Sequence, residues 1–153
     1  MNMEKDPRTT EQTARPRPLL DETNAPFWQA CAGEDGQEPR LLLQVCGGCG
    51  AVRCPPAPCC PACGSGDYGW REASGRAALW SWNRFHKAYL PGFDPPYCTI
   101  LAKLAEGPVI VSALAEGEPD QLPPDQPLQV VFRQGLSLFV PVAADATTDA
   151  EKT

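Results

Sequence analysis

Two Cys-x-x-Cys pairs constrain this chain more than any other feature: Cys46-Gly47-Gly48-Cys49 and Cys60-Pro61-Ala62-Cys63, separated by ten residues. Each pair turns so that two sulfurs converge, and the glycine that follows it (Gly50, Gly64) lets the backbone curl until amides face the thiolates. Four thiolates on two such turns make the tetrahedral set that zinc takes in closed structural sites. The ligands are therefore expected to be Cys46, Cys49, Cys60 and Cys63. Iron fits the same thiolate set. A catalytic zinc keeps one position open for water, and four cysteines leave none, so the metal is expected to be structural and to supply much of the segment's stability. Cys59 breaks the spacing that Cys60 preserves. Cys54 lies mid-loop and is read as a bystander, and Cys31 and Cys98, in apolar contexts, as small buried filler.

The rest of the composition supports metal over disulfides. The chain has 153 residues and eight cysteines. Met1 to Pro18 is polar, without the apolar stretch of a secretory signal. No apolar run approaches the ~20 residues of a membrane helix. A cytosolic protein with reduced thiols is the expectation, with no membrane contact. The single histidine, His86, excludes any site needing two imidazoles. The net charge is −6. Residues 74–142 hold five bases and six acids, so the second half offers no positive face to nucleic acid.

With 13 Gly and 18 Pro, the chain is too rich in turn formers for a helical bundle. Residues 1–24 and 143–153 read as disordered tails, polar and poor in large aliphatics. Residues 25–40 read as a short helix and a turn, with Phe27, Trp28 and Cys31 on one helical face and Pro26 in the first turn. Residues 41–73 contain the cysteine pairs, opened by a Leu41–Val45 strand and closed by a short strand at Asp67–Glu72. Residues 74–142 read as five strands with Gly/Pro connections: Arg76–Tyr89, Tyr97–Glu106, Val109–Ala115, Leu128–Arg133 and Leu136–Val142. Ile100, Ala102 and Leu104 alternate against Thr99, Leu101 and Lys103. The expected fold is mainly β: a short N-terminal helix, a rubredoxin-like zinc ribbon, then a five-stranded OB-fold barrel, the commonest small closed form of such strands, with a sandwich of the same strands as the alternative.

The ordered series of motifs resembles a family long catalogued as domain of unknown function 35. The resembling pieces are Pro26-Phe27-Trp28, then Leu41 to Gly50, the Pro55-Pro56 pair, and Cys60 to Ser65. After them come Gly75-Arg76, Leu79-Trp80-Ser81-Trp82 with His86, Pro96-Tyr97, and Glu106-Gly107-Pro108. Together they cover roughly residues 25–142. Family members often carry an aromatic or basic residue where Val52 and Cys54 stand. The resemblance implies a non-catalytic partner of thiolase-superfamily enzymes, aldolases or condensing enzymes, and sometimes of MaoC-type hydratases. It further implies a place at the acyl-CoA site of the partner, with steroid side chains, short acyl groups or aromatic polyketides as the acyl part.

Six residues are expected to meet the partner or the acyl-CoA: Phe27, Trp28, Trp80, Trp82, His86 and Phe93. The plainer reading of Trp80 and Trp82, which period-two alternation puts on one strand face, is barrel core. That of His86 is a solvated strand-end ring, and that of Phe93 is a turn. Arg84, Lys87 and Lys103 are weighed as phosphate contacts, though scattered bases are usually solvated, and no glycine-rich phosphate loop supports them. No serine or cysteine stands in a triad context. The alternatives are a single-stranded nucleic-acid binder, since aromatics on an OB-fold can stack bases, and an iron-loaded redox protein.

Overall fold

The computed structural model describes residues 16–143; the expectations for 1–15 and 144–153 lie outside them. No helix among the described residues is long and apolar enough to cross a membrane. Helix α1 (Ala25–Ala32) starts after a hydrogen-bonded turn in which the Asp21 carboxylate accepts from the Thr23 and Asn24 amides. Pro26 occupies its first turn, and Gly33 ends it at φ +69°, donating to Ala30 O at 3.2 Å. Its buried face is Phe27, Ala30 and Cys31. Trp28 stands half-buried at the rim, edge-on to Phe27 at 5.0 Å.

Strands β1 (Leu42–Cys46), β2 (Val52–Arg53) and β3 (Tyr68–Glu72) form an antiparallel sheet in the order β2-β1-β3. Strands β4 (Arg76–Phe85), β5 (Tyr97–Leu104), β6 (Val109–Ser112), β7 (Pro127–Arg133) and β8 (Leu136–Pro141) form a second, in the order β6-β5-β4-β7-β8. Its two ends approach through a parallel bridge between Leu114 and Phe139, where the Phe139 amide donates to Ala113 O at 3.0 Å. This is the partly open five-stranded Greek-key arrangement of an OB-fold. β4 ends at Phe85, not Tyr89, because Phe85 stands opposite Tyr97, where β5 begins. The Pro-rich connection carries a 3-10 turn at Pro119–Gln121.

The alternation expected in β5 holds: Ile100, Ala102 and Leu104 are buried, and Leu101 and Lys103 are exposed. One continuous core joins both sheets and the helix, running from Phe27, Cys31, Leu41 and Leu43 to Leu79, Ile100, Leu128 and Phe139. At the junction of the sheets, the Ser74 amide donates to Glu106 Oε1 at 2.6 Å, and Gly75 O accepts from the Val130 amide at 2.8 Å. Gly75 has φ +76°, and a Cβ there would lie 2.5 Å from Val130 Cγ1.

Candidate metal centre and exposed aromatic face

The structure brings together the four cysteines that the spacing selects. Their sulfurs all lie within 4.8 Å of one another. Cys46 and Cys63 sulfurs are 3.6 Å apart, and Cys49 and Cys60 sulfurs 3.7 Å. A tetrahedron of sulfurs about 2.3 Å from a central zinc has edges of about 3.8 Å, so the spacing fits one metal ion. Both turns are built alike. The Gly50 amide donates to Cys46 O at 3.0 Å and the Gly64 amide to Cys60 O at 2.8 Å, with φ +74° at Gly50 and +78° at Gly64. The Gly48 amide donates to Cys46 Sγ at 3.3 Å.

Three of the thiols are shifted from the usual cysteine value, and in opposite directions. Backbone donors at Cys49 and Gly48 hold Cys46 down to about 6. Cys60 is lowered too, chiefly by the backbone at Cys63 and Ala62. At Cys63 the Ser65 amide works in the same direction but is outweighed by Cys46 and Cys49, and the thiol is pushed up to about 12. A cation at the centre would favour the thiolate form at each of these positions.

The other cysteines fall apart from this cluster. Burial pushes Cys31 up to about 11 and Cys54 up to about 12. Cys31 is the buried filler expected. Cys54 is no loop bystander: it packs in the core with Phe27 and Leu43. Cys98 is half-buried rather than core, with its thiol donating to Glu118 Oε2 at 3.7 Å. Cys59 is exposed.

The six contact candidates separate. Phe27 is buried in the core, so it is unavailable to a partner. Trp80 and Trp82 are 57% and 40% exposed, not barrel core. The register slips between Leu79 and Ser81, making Trp80 the extra residue of a β-bulge. Period two therefore fails here. Trp80 lies under Lys103 Nζ at 4.8 Å on the outer side, whereas Trp82 stands opposite core-facing Ile100. Trp80 and Trp82 line a shallow cleft of about 210 Å³ with Leu122, Pro123 and Pro124, smaller than the usual small-molecule pocket. His86 is exposed just past β4. Phe93 is half-buried, tilted on Tyr97 at 5.4 Å.

The aromatic cluster that holds Phe93 has little signature in the sequence. Phe85 stacks on Tyr97 at 4.9 Å, and Tyr89 meets Phe85 edge-on at 5.8 Å. Aromatics at both ends of one loop were its only signal. The three bases weighed as phosphate ligands are engaged. Arg84 bridges Glu118 at 3.2 Å and Asp120 at 2.9 Å, Lys103 covers Trp80, and Lys87 lies over Tyr89 at 5.9 Å.

Comparison with known proteins agrees with this architecture. Residues 34–69 match the family described as ChsH2, rubredoxin-like zinc ribbon domain, and residues 70–133 match ChsH2, C-terminal OB-fold domain. A solved structure, the Ltp2-ChsH2(DUF35) aldolase, is similar with a TM-score of 0.67 and 32% identity, over 82% of this chain and 98% of that one. The chain is 38% identical over 122 residues to a probable enoyl-CoA hydratase alpha subunit of Thermomonospora curvata, covering 76% of this chain but only 37% of that protein. It is 30% identical over 82 residues to a DUF35 domain-containing scaffold protein of Pyrococcus furiosus, covering 52% of this chain and 60% of that one.

Proposed function

We propose that this chain, which belongs to the ChsH2 (DUF35) family of rubredoxin-like zinc ribbons joined to OB-folds, is a non-catalytic subunit of a thiolase-superfamily enzyme. It docks on an aldolase or condensing enzyme and helps form or cover the acyl-CoA site. The observation that carries this reading is the likeness, over 98% of the matched chain, to a structure described as an Ltp2-ChsH2(DUF35) aldolase. The chain's own chemistry supports it. An all-cysteine centre leaves a metal no open position for substrate, and among the described residues no hydrogen bond joins His86 to a nucleophile.

In this reading the ion is zinc and its role is structural. The ribbon, about residues 41–73, is a rigid docking element, and the barrel, about 74–142, forms a wall beside the acyl-CoA entrance. The partner face centres on Trp80, with Leu101 and Val111 beyond it. Leu101 and Val111 are cross-strand neighbours, and both are exposed. Exposed tryptophans are common anchors of interfaces. Trp28, Trp82, His86 and Phe93 are its further contacts.

A second reading places the same chain on a MaoC-type hydratase. The hydratase relative favours it, although the chain spans only 37% of that protein. The test is the activity of a purified thiolase-like subunit toward its acyl-CoA, with and without this chain. Carbon–carbon bond cleavage or formation that needs the chain supports the first reading. Full activity of the subunit alone contradicts it, and hydration that needs the chain selects the second.

A further inference from the structure

We propose that the cleft between β4 and the 122–124 loop is a groove for a proline-rich, arginine-bearing extended segment, and that its occupant is the Pro16–Leu20 arm of a second copy of this chain. The cleft is lined by Trp80, Trp82, Pro123 and Pro124. Aromatic-lined grooves take polyproline segments because such segments are already extended and lose little entropy on docking. The arm reads Pro16-Arg17-Pro18-Leu19-Leu20, has no regular structure, and leaves Leu19 92% and Leu20 53% exposed. Asn24 Nδ2 donates to Leu19 O at 3.0 Å, fixing how the arm leaves α1.

The charges match as well. The loop at 116–127 holds four acids and no base. Arg133 takes Glu116 at 2.7 Å, and Arg84 takes Glu118 and Asp120. Asp125, next to Pro124, has no ion pair among the described residues, and neither has Arg17. The unpaired Asp125 carboxylate beside the cleft and the unpaired Arg17 guanidinium between the arm's two prolines are thus complementary in charge. The arm's leucines are exposed, so its apolar end is available to a second copy. Each copy offers both an arm and a cleft, and mutual exchange between two copies satisfies both pairs at once in a two-fold dimer. Trp80 also belongs to the face assigned to the partner enzyme, so arm and partner compete.

The full-length protein is titrated with a labelled synthetic peptide of residues 13–22, and its self-association is followed by sedimentation. Saturable peptide binding is expected. Trp82→Ala in the protein, or Pro16→Ala with Pro18→Ala in the peptide, weakens it by roughly ten-fold or more. Asp125→Asn in the protein and Arg17→Glu in the peptide each weaken it several-fold, less than additively when combined. The full chain sediments as a dimer that Arg17→Glu shifts to monomer. Zinc content and circular dichroism verify that each variant is folded. Equal binding of a scrambled peptide, binding unchanged in Trp82→Ala, no binding at millimolar peptide, or a full chain that stays monomeric overturns the proposal.

Discussion

Gln44 Oε1 accepts hydrogen bonds from Arg53 Nε at 2.7 Å and from the Ala57 amide at 2.9 Å, while Gln44 itself is 0% exposed. Arg53 in turn donates to Ala57 O at 3.2 Å and lies over the Tyr68 ring. One buried amide in β1 thereby ties the loop between the two cysteine turns to the sheet that supports the first. Gln44→Leu fills a similar volume but strands Arg53 Nε and the Ala57 amide. Since a buried donor without an acceptor costs about 1–3 kcal/mol, denaturant unfolding of the zinc-loaded protein is expected to show a loss of that size, with m unchanged.

Cys46→Ser and Cys63→Ser each remove one corner of the sulfur tetrahedron. Both are expected to lose the zinc and unfold the 41–73 segment, as judged by metal analysis and amide exchange. Cys59→Ser is the control: its exposed thiol stands outside the cluster, so it keeps a full equivalent of metal. Structural zinc contributes about 10–16 kcal/mol of apparent binding free energy, so removal by a chelator should abolish order there.

Native alkylation separates the cysteines. The thiols of Cys31 and Cys54 are buried and pushed up to about 11 and about 12, so neither supplies thiolate near neutrality. In zinc-loaded protein at pH 8, mass spectrometry should find Cys59 labelled first and Cys98 next, with Cys31 and Cys54 labelled only after unfolding.

Glu106 makes the junction between the two sheets sensitive to acid. Burial works to raise its carboxyl, but the Ser74 amide and side chain outweigh that and hold it below the usual value. A depressed folded pKa contributes stability that is present above the ordinary glutamate value, about 4.3, and lost as pH falls through the folded value. The Ser74 amide should therefore lose exchange protection only as pH falls below the usual glutamate range. Glu106→Ala should lose it at every pH, whereas Glu106→Gln retains an acceptor and most of the protection.

Gly75→Ala tests the same junction sterically. It forces a side chain into a positive φ and sets Cβ 2.5 Å from Val130 Cγ1. A destabilisation of at least about 1–3 kcal/mol in denaturant melts is expected.

The four-cysteine cluster was legible because ligand spacing is local: Cys-x-x-Cys followed by glycine encodes the turn whatever surrounds it. The alternation in β5 was legible for a similar reason, since one face of the strand is buried along most of its length. Trp80 and Trp82 were not, because a single bulge between Leu79 and Ser81 cancels period two, and nothing in Leu-Trp-Ser-Trp marks it. Cys54 looked like a loop residue because the sequence shows its proline neighbours and not the helix that packs over it. Phe27 is no contact residue, because the helix face it shares with Cys31 turns into the core. Arg84 found its carboxylates at positions 118 and 120, across a loop that no local pattern could have folded back.

The measurement that bears most directly on the central claim is a tagged pull-down of this chain from its native cell, with mass spectrometry of what elutes. The account predicts a thiolase-like subunit in near-stoichiometric amount, lost when Trp80→Ala is combined with Leu101→Ser while zinc content stays full. Elution of the chain alone, or with nucleic acid in place of an enzyme, would contradict it.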